Sequence, residues 1–260
     1  MFTPAADPAR APSRHLLALE VRAVFELGAA LSMAPLLRMA AAGDGHPVLV
    51  LPGLGAGDAS TRLLRTFLLE RGYRAYGWRL GPNRGPRPGV ETRMQHRLAE
   101  LAERHGRKVS VVGWSLGGIF ARELARRAPE QVRSVITLGS PFAGEPRASH
   151  AWRLYEALSG RTAHDWPGRE AMKHPPPVPS TAIYSRSDGV VAWQGCLERE
   201  GPNSENIEVV GSHSGLGHHP AVLYAIADRL ARPEGQWRPF DRGGTRRLVY
   251  PEPHRTAPAA

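Results

Sequence analysis

The stretch from Val109 to Ala128 constrains the fold of this chain more than any other part of the sequence. It begins with a short apolar β-run, Val109 to Val112, and continues with Gly-Trp-Ser-Leu-Gly at residues 113–117. A helical pattern then follows at once, with apolar residues at Ile119, Phe120, Leu124 and Ala128. Because this spacing is that of one helix face, the sequence predicts a strand, a sharp turn with Ser115 at its tip and a helix.

A strand, a turn and a helix in this order form the context that the G-x-S-x-G nucleophile elbow requires. The serine of such a turn has a strained backbone, and small residues two positions before and after it let strand and helix pack closely. Gly113 and Gly117 stand at those positions. Unpaired N–H groups at the start of the helix face whatever Ser115 attacks. The alternative is a glycine-rich turn with an idle serine, so residues elsewhere must decide.

Strands and helices alternate over the rest of the chain. The predicted strands are His46–Leu51, Tyr73–Leu80, Val109–Val112, Val132–Leu138, Ser180–Tyr184 and Ile207–Val210. The helices between them are Thr61–Arg71, Val90–His105 and the elbow helix to Ala128, and a last helix contains Ala221. This alternation predicts an α/β fold, with a mostly parallel central sheet and helices on both faces. Ligands of such sheets bind beyond the carboxyl ends of the strands.

The segment 141–179 interrupts this alternation. It contains an amphipathic helix around Trp152–Leu158 and a proline-rich run at 175–179. Two interpretations stay open: an inserted helical cap over the site, or an ordinary surface helix with a linker. We expect one domain over residues 15–240, preceded by a disordered lead-in at 1–14 and followed by a flexible tail at 241–260.

An acyl-transferring serine needs a base and an acid that orients the base, in the chain order serine, acid, histidine. Asp188 lies in the turn after the strand Ser180–Tyr184 and is the candidate acid. His213 follows the strand Ile207–Val210 and is the candidate base. Asp165 and Asp228 are poorer candidates for the acid, and His218 or His219 stays open as the base.

Two backbone amides are candidates for the oxyanion hole. One is the N–H of Leu116, directly after the serine, and the other is the N–H of Leu54 in the glycine-rich loop after the first strand. That loop matches neither a phosphate loop nor a dinucleotide fingerprint, so no cofactor is predicted. No histidine pair stands at metal-ligand spacing beside a carboxylate, so no metal is predicted either.

The net charge of +10 does not predict a nucleic-acid partner. Lys108 and Lys173 are the only lysines, and the arginines that make up the excess are scattered along the chain instead of forming one block. Cys196 is the single cysteine, so no intramolecular disulfide exists, and a packed thiol is expected there. With no signal peptide recognised, a cytoplasmic location is expected.

The segment Leu16–Ala42 is rich in apolar residues but is interrupted by charges before it reaches the length of a membrane span. Its apolar residues recur at helical spacing, which predicts an amphipathic helix. Two interpretations are open. The helix packs against the domain or covers an apolar site, or it associates weakly with a membrane surface. The sequence does not indicate an oligomeric state.

Five ordered segments resemble the α/β-hydrolase superfamily and, within it, the lipase/esterase-like branch. They are Val48–Gly55, Val111–Gly118, Val135–Phe142, Tyr184–Gly189 and Val210–His213. The resemblance implies a cofactor-independent serine hydrolase that cleaves a small-molecule or lipid ester with Ser115, His213 and Asp188. Pro52-Gly53 also resembles lipid acyltransferases, so acyl transfer stays open beside hydrolysis, as does thioester cleavage. A non-catalytic binding protein of the same fold is the alternative from another class.

Overall fold

The computed structural model describes residues 10–166 and 168–254. Within these residues a six-stranded parallel sheet lies at the centre, in the order β2-β1-β3-β4-β5-β6. The strands are β1 (Pro47–Leu51), β2 (Arg74–Gly77), β3 (Val109–Trp114), β4 (Val132–Leu138), β5 (Ser180–Tyr184) and β6 (Ser204–Glu208). The predicted α/β fold with a parallel sheet is confirmed.

Helices cover both faces of the sheet. Successive strand residues point to opposite faces, and because strands such as β1 are apolar throughout, both faces are apolar. Val48 and Val50 pack with one buried cluster, which includes residues of the helices Arg62–Glu70 and Pro220–Leu230. Leu49 and Leu51 pack with a second cluster, which includes residues of the helices Val90–His105 and Leu116–Arg127. The helices are α1 (Arg14–Ala18), α2 (Ala23–Ser32), α3 (Ala34–Leu37), α4 (Arg62–Glu70), α5 (Val90–His105), α6 (Leu116–Arg127), α7 (Trp152–Ser159), α8 (Arg169–Met172) and α9 (Pro220–Leu230). Short 3-10 helices span Leu19–Arg22, Trp193–Cys196 and Gly244–Leu248.

The last strand lies earlier in the chain than the sequence predicts. The expected strand was Ile207–Val210, whereas β6 covers Ser204–Glu208. Its polar residues are buried because each has a partner: Glu205 accepts hydrogen bonds from Thr181 and Arg229, and Glu208 accepts one from Tyr184. Charged residues with such partners give no apolar signal, so a hydrophobicity pattern does not find this strand.

The amphipathic helix expected over Leu16–Ala42 is instead a series of short helices. The helical segment runs through α1, the 3-10 helix Leu19–Arg22, α2 and α3. Pro35 explains the last break, because proline has no backbone N–H and is favoured in the first turn of a new helix, here α3. Of the described residues, no helix is long and apolar enough to cross a membrane.

Part of the segment expected as a flexible tail packs on the body of the domain. Tyr250 is buried, its ring lies edge-on to Phe240 at a centroid distance of 4.7 Å, and its hydroxyl donates to the Ala221 carbonyl. The expectations for residues 1–9 and 255–260 lie outside the described residues. Residues 10–13 precede α1, whose first turn is capped by the Ser13 side chain.

Candidate active site

Ser115 stands at the junction of β3 and α6 with a backbone that non-glycine residues rarely adopt. Its φ is 53° and its ψ is −121°. The flanking glycines are required by close packing: a Cβ on Gly113 would overlap the Gly117 carbonyl, and a Cβ on Gly117 would overlap the Leu51 carbonyl of β1. Ser115 therefore stands in a short turn between β3 and α6, in the strand–turn–helix order that the sequence predicts, and borders a pocket.

Asp188 and His213 meet at the carboxyl ends of neighbouring strands β5 and β6. His213 Nδ1 lies 2.6 Å from Asp188 Oδ2, and both side chains are almost fully buried. The other carboxylate oxygen, Oδ1, accepts hydrogen bonds of 2.8 Å from the N–H groups of Val190 and Val191. The indole of Trp114, next to Ser115, donates to the His213 carbonyl at 3.1 Å and ties this loop to the elbow.

The surroundings of His213 favour its protonated form. Burial by itself lowers the pKa of the imidazole, but the charge of Asp188, its hydrogen bond and the more distant charge of Glu20 outweigh burial. The pKa of His213 is therefore raised above its usual value of 6.5. A histidine that is stabilised as imidazolium by a buried carboxylate is suited to accept a proton from a serine.

The alternative bases and acids have other contacts. His218 Nε2 lies 3.0 Å from the Ala23 carbonyl of α2, and His219 caps α9 by accepting a hydrogen bond from the Ala221 N–H. Asp228 is paired with Arg229 and Arg232, and Asp165 is exposed in the segment between β4 and β5. Among these candidates, the structure pairs Asp188 and His213 with each other.

Leu54 and Leu116 border the same pocket as Ser115. In residues 10–166 and 168–254, no protein acceptor takes a hydrogen bond from the N–H of either leucine. Two amides without partners beside a candidate nucleophile match what an oxyanion hole needs.

Asn83 is a residue of this site that the sequence pattern does not reveal, because it lies in a stretch rich in proline and glycine with no helical or strand periodicity. It is fully buried, and its amide nitrogen donates to the Pro52 carbonyl at 2.8 Å. Its backbone carbonyl and N–H also bond to Gly55 and Ala56. Asn83 thus holds both ends of the loop that carries Leu54. An Asn among prolines and glycines was the only signal in the sequence.

The pocket beside Ser115 has a cavity volume of about 110 Å³ and opens to solvent. Its walls are mostly apolar and come largely from the segment between β4 and β5, which contains α7 and α8. The lining residues of this segment include Phe142, Trp152, Tyr155, Ala163, Trp166 and Met172. Cys196 lies apart from this lining as a buried thiol, and burial raises its pKa well above the usual value.

Part of this chain is similar in sequence to a thioesterase family and to an esterase. The family model described as palmitoyl protein thioesterase matches residues 47–174. A sequence relative, the pimeloyl-(acyl-carrier protein) methyl ester esterase of Shewanella woodyi, is 28% identical over 120 residues. That match covers 46% of this chain and 46% of the relative, so the chain spans less than half the length of that enzyme.

The solved structures that superpose on this chain include lipases and other lipolytic enzymes. Lipase B of Aspergillus fumigatus superposes with a TM-score of 0.57 at 15% identity, over 74% of this chain and 53% of the lipase. A structure reported for LipS and LipT, two metagenome-derived lipolytic enzymes, gives 0.53 at 17% identity, over 74% and 94% of the two chains. The mature lipase BlEst2 of Bacillus licheniformis gives 0.52 at 15% identity, over 72% and 92%.

Proposed function

We propose that this chain, which has the α/β-hydrolase fold, is a serine hydrolase of carboxylic esters that works through an acyl-enzyme. The observation that carries the proposal is the position of Ser115, a strained elbow serine that borders an apolar pocket. Its neighbour Trp114 donates a hydrogen bond to the His213 carbonyl, and the His213 imidazole is paired with Asp188. A merely structural serine has no need of such a backbone.

In the proposed reaction, Ser115 Oγ attacks the ester carbonyl carbon while His213 takes the hydroxyl proton. Asp188 holds the imidazole in the required tautomer and stabilises the imidazolium. The amides of Leu54 and Leu116 bind the developing oxyanion, an interaction worth roughly 3–4 kcal/mol per donor in comparable enzymes. His213 then protonates the leaving alcohol, and water, deprotonated by His213, releases the acid from the acyl-enzyme.

The pocket indicates the substrate class. Its aromatic and aliphatic walls offer little to a polar acyl group, whereas burial of an alkyl chain stabilises binding by about 0.8 kcal/mol per methylene. We therefore propose an ester with an apolar acyl chain, and we propose that the segment 141–179 acts as the cap that encloses this chain.

Thioester cleavage is the second candidate, favoured by the match of residues 47–174 to the palmitoyl protein thioesterase family. Both reactions use the same acyl-enzyme, and they differ only in the leaving group. Transfer of the acyl group to an alcohol in place of water is the third outcome that this intermediate permits.

The test is hydrolysis of p-nitrophenyl esters from acetate to palmitate, with Ser115→Ala as the matched variant. Palmitoyl thioester and an added alcohol acceptor distinguish the alternatives. We expect turnover that depends on Ser115 and rises with chain length. No turnover on any substrate, together with no labelling of Ser115 by a fluorophosphonate, would reject catalysis and favour a binding protein of this fold.

We also propose that the N-terminal helices contact an anionic lipid surface. Phe25 is 77% exposed and Met39 is 80% exposed, and both stand among many other exposed apolar residues of the segment. Glu20 and Glu26 turn inward, so the charges left outside include Arg14 and Arg38. Sedimentation with anionic vesicles, compared with zwitterionic ones, tests the contact. Phe25→Asp should abolish it, and equal sedimentation of both proteins would contradict it.

A further inference from the structure

Three charged residues near the start of the chain contact the two loops that carry Asp188 and His213. They are Glu20, Arg22 and Glu26, and we call them the N-terminal clamp. Glu20 makes the most direct connection. Its Oε1 accepts hydrogen bonds of 2.9 Å from the N–H of Gly189 and from that of His213, and its Oε2 accepts one of 2.8 Å from Ser214.

Arg22 and Glu26 bind the same two loops at neighbouring positions. The Arg22 guanidinium donates to the Ser187 carbonyl, to Ser187 Oγ at 3.0 Å and to the Gly211 carbonyl at 2.9 Å. The Glu26 carboxylate accepts from the N–H of Ser212 at 2.8 Å and from its hydroxyl. Each contact joins the N-terminal segment to loop residues at least 165 positions later in the chain.

Two glycines show how closely the N-terminal segment approaches these loops. A Cβ on Gly189 would overlap the Leu16 carbonyl, and a Cβ on Gly215 would overlap the Glu26 carboxylate. The loops beside the clamp are therefore shaped to receive it, which an incidental surface contact does not require.

One carboxylate that binds amides from both loops fixes their separation. Gly189 follows Asp188 directly, and the second amide belongs to His213 itself, so Glu20 sets the relative position of the acid and the base. Charge-assisted hydrogen bonds of this kind are stronger than neutral ones. The three N–H donors outweigh the effect of burial and hold the pKa of Glu20 below its usual value, so the carboxylate is charged at neutral pH.

We propose that Glu20 is a positioning residue, which holds His213 against Asp188 in the geometry that the reaction needs. The proposal rests on the proposed function for its catalytic consequence, but its structural part does not. A second effect is electrostatic. The groups that face or adjoin His213 are Asp188, Glu20 and, through the loop backbone, Arg22 and Glu26, and the charge of Glu20 raises the pKa of His213.

The experiment compares Glu20→Ala and Glu20→Gln with wild type and with Glu103→Gln, a control on the exposed side of α5. Because small displacements of catalytic groups are costly, we expect kcat for the ester to fall by about 10- to 100-fold in Glu20→Ala. KM should stay within about twofold, because Glu20 is not part of the pocket lining. In Glu20→Gln the acid limb of the pH–rate profile should move to lower pH. Unchanged kcat in Glu20→Ala would overturn the positioning role.

Amide hydrogen exchange gives a readout that does not need turnover. Peptides covering residues 186–192 and 210–216 should exchange faster in Glu20→Ala than in wild type, while peptides of α5 and β3 should not change. Equal exchange in both proteins would overturn the proposal even if activity differs. If wild type neither turns over esters nor reacts with a fluorophosphonate, the proposed function fails, and exchange alone then decides whether Glu20 holds the loops.

Discussion

At the scale of single residues, the candidate site depends on close contacts that tolerate no added atom. The elbow places Ser115 by bringing β3 and α6 so near each other that Gly113 and Gly117 have no room for a side chain. The strained backbone of a residue such as Ser115 costs on the order of 1–3 kcal/mol, which the surrounding packing must offset.

Gly117→Ala tests this packing. The added methyl group would overlap the Leu51 carbonyl, so we expect the free energy of unfolding to fall by about 1–3 kcal/mol and esterase activity to be lost. Gly28→Ala is the control, since Gly28 lies in α2 with open space around it, and there we expect a gain of about 0.5–1 kcal/mol. Urea unfolding measures both. Full activity in Gly117→Ala would contradict the elbow geometry.

Asp188→Asn tests the candidate acid. Loss of the charge leaves the imidazole without its partner and in the wrong tautomer, which costs about 10⁴-fold in kcat in comparable triads. Asp165→Asn, on the exposed cap segment, is the matched control and should retain activity. Steady-state kinetics on one ester compares the two, and similar rates for both variants would transfer the acid role away from Asp188.

The raised pKa of His213 predicts the direction of the pH dependence. The base must be neutral, and the imidazole is protonated below its folded-state pKa, so activity is lost as pH falls through that value. Because the pKa lies above 6.5, the acid limb of kcat/KM should also lie above 6.5. A pH–rate profile of the wild-type enzyme measures it. A flat profile down to about pH 5 would exclude His213 as the base.

At the scale of elements, the helices outside the sheet decide what surrounds the site. The segment between β4 and β5 supplies pocket walls, and its Trp166 contacts Tyr155 of α7 and Phe120 of α6. The N-terminal helical segment packs against the catalytic loops through the N-terminal clamp. The sequence of a helix alone does not predict either contact, because each contact depends on where the partner residues lie in the fold.

Trp152→Ala tests whether α7 helps to bind the acyl chain. Removing the indole takes apolar contact from a long chain but not from acetate, so we expect kcat/KM for the palmitate ester to fall about tenfold relative to acetate. Leu154→Ala, on the exposed side of the same helix, is the control and should leave the ratio unchanged. An equal loss on both esters would argue against a role of α7 in chain binding.

At the scale of the whole molecule, a second acid–histidine–serine arrangement lies at the opposite end of the sheet. His46 Nδ1 lies 2.5 Å from Asp44, and its Nε2 lies 2.9 Å from Ser110 Oγ. His46 and Ser110 have no exposed surface. Burial, with charges of Arg133 and Arg107 nearby, lowers the pKa of His46 to about 4. This group therefore serves stability and cannot meet a substrate.

The buried His46 predicts a loss of stability in acid. Its folded pKa of about 4 is lower than the unfolded value of 6.5, so the unfolded chain binds the extra proton between these values. We expect stability to fall by roughly 3 kcal/mol as pH drops from 6.5 to 4 on this account. His46→Gln should flatten that slope in urea unfolding, whereas His96→Gln, exposed on α5, should not. Equal slopes in all three proteins would refute this.

Local sequence signals predict much of the fold and point to the candidate site. The alternation of apolar runs placed β4, β5 and α5 at their observed bounds, and the predicted parallel α/β-hydrolase fold is confirmed. Ser115, Asp188 and His213 were chosen by their places after strands. Their catalytic roles stay predictions, although the structure does bring Asp188 and His213 together. The strand β6 was misplaced because its buried charges are neutralised by residues far away in the chain.

What the sequence determined by itself is the set of relations between near neighbours: periodicity, turn chemistry, and glycines beside a strained serine. Only the tertiary structure decided which distant groups meet. It joined Glu20 to His213, Asn83 to Pro52, and α7 to the pocket, and it distinguished the accessible Ser115 from the buried Ser110. The reason is physical. A hydrogen bond across 193 residues, such as that of Glu20 with His213, leaves no periodic trace in the sequence, because either partner alone is an ordinary polar residue.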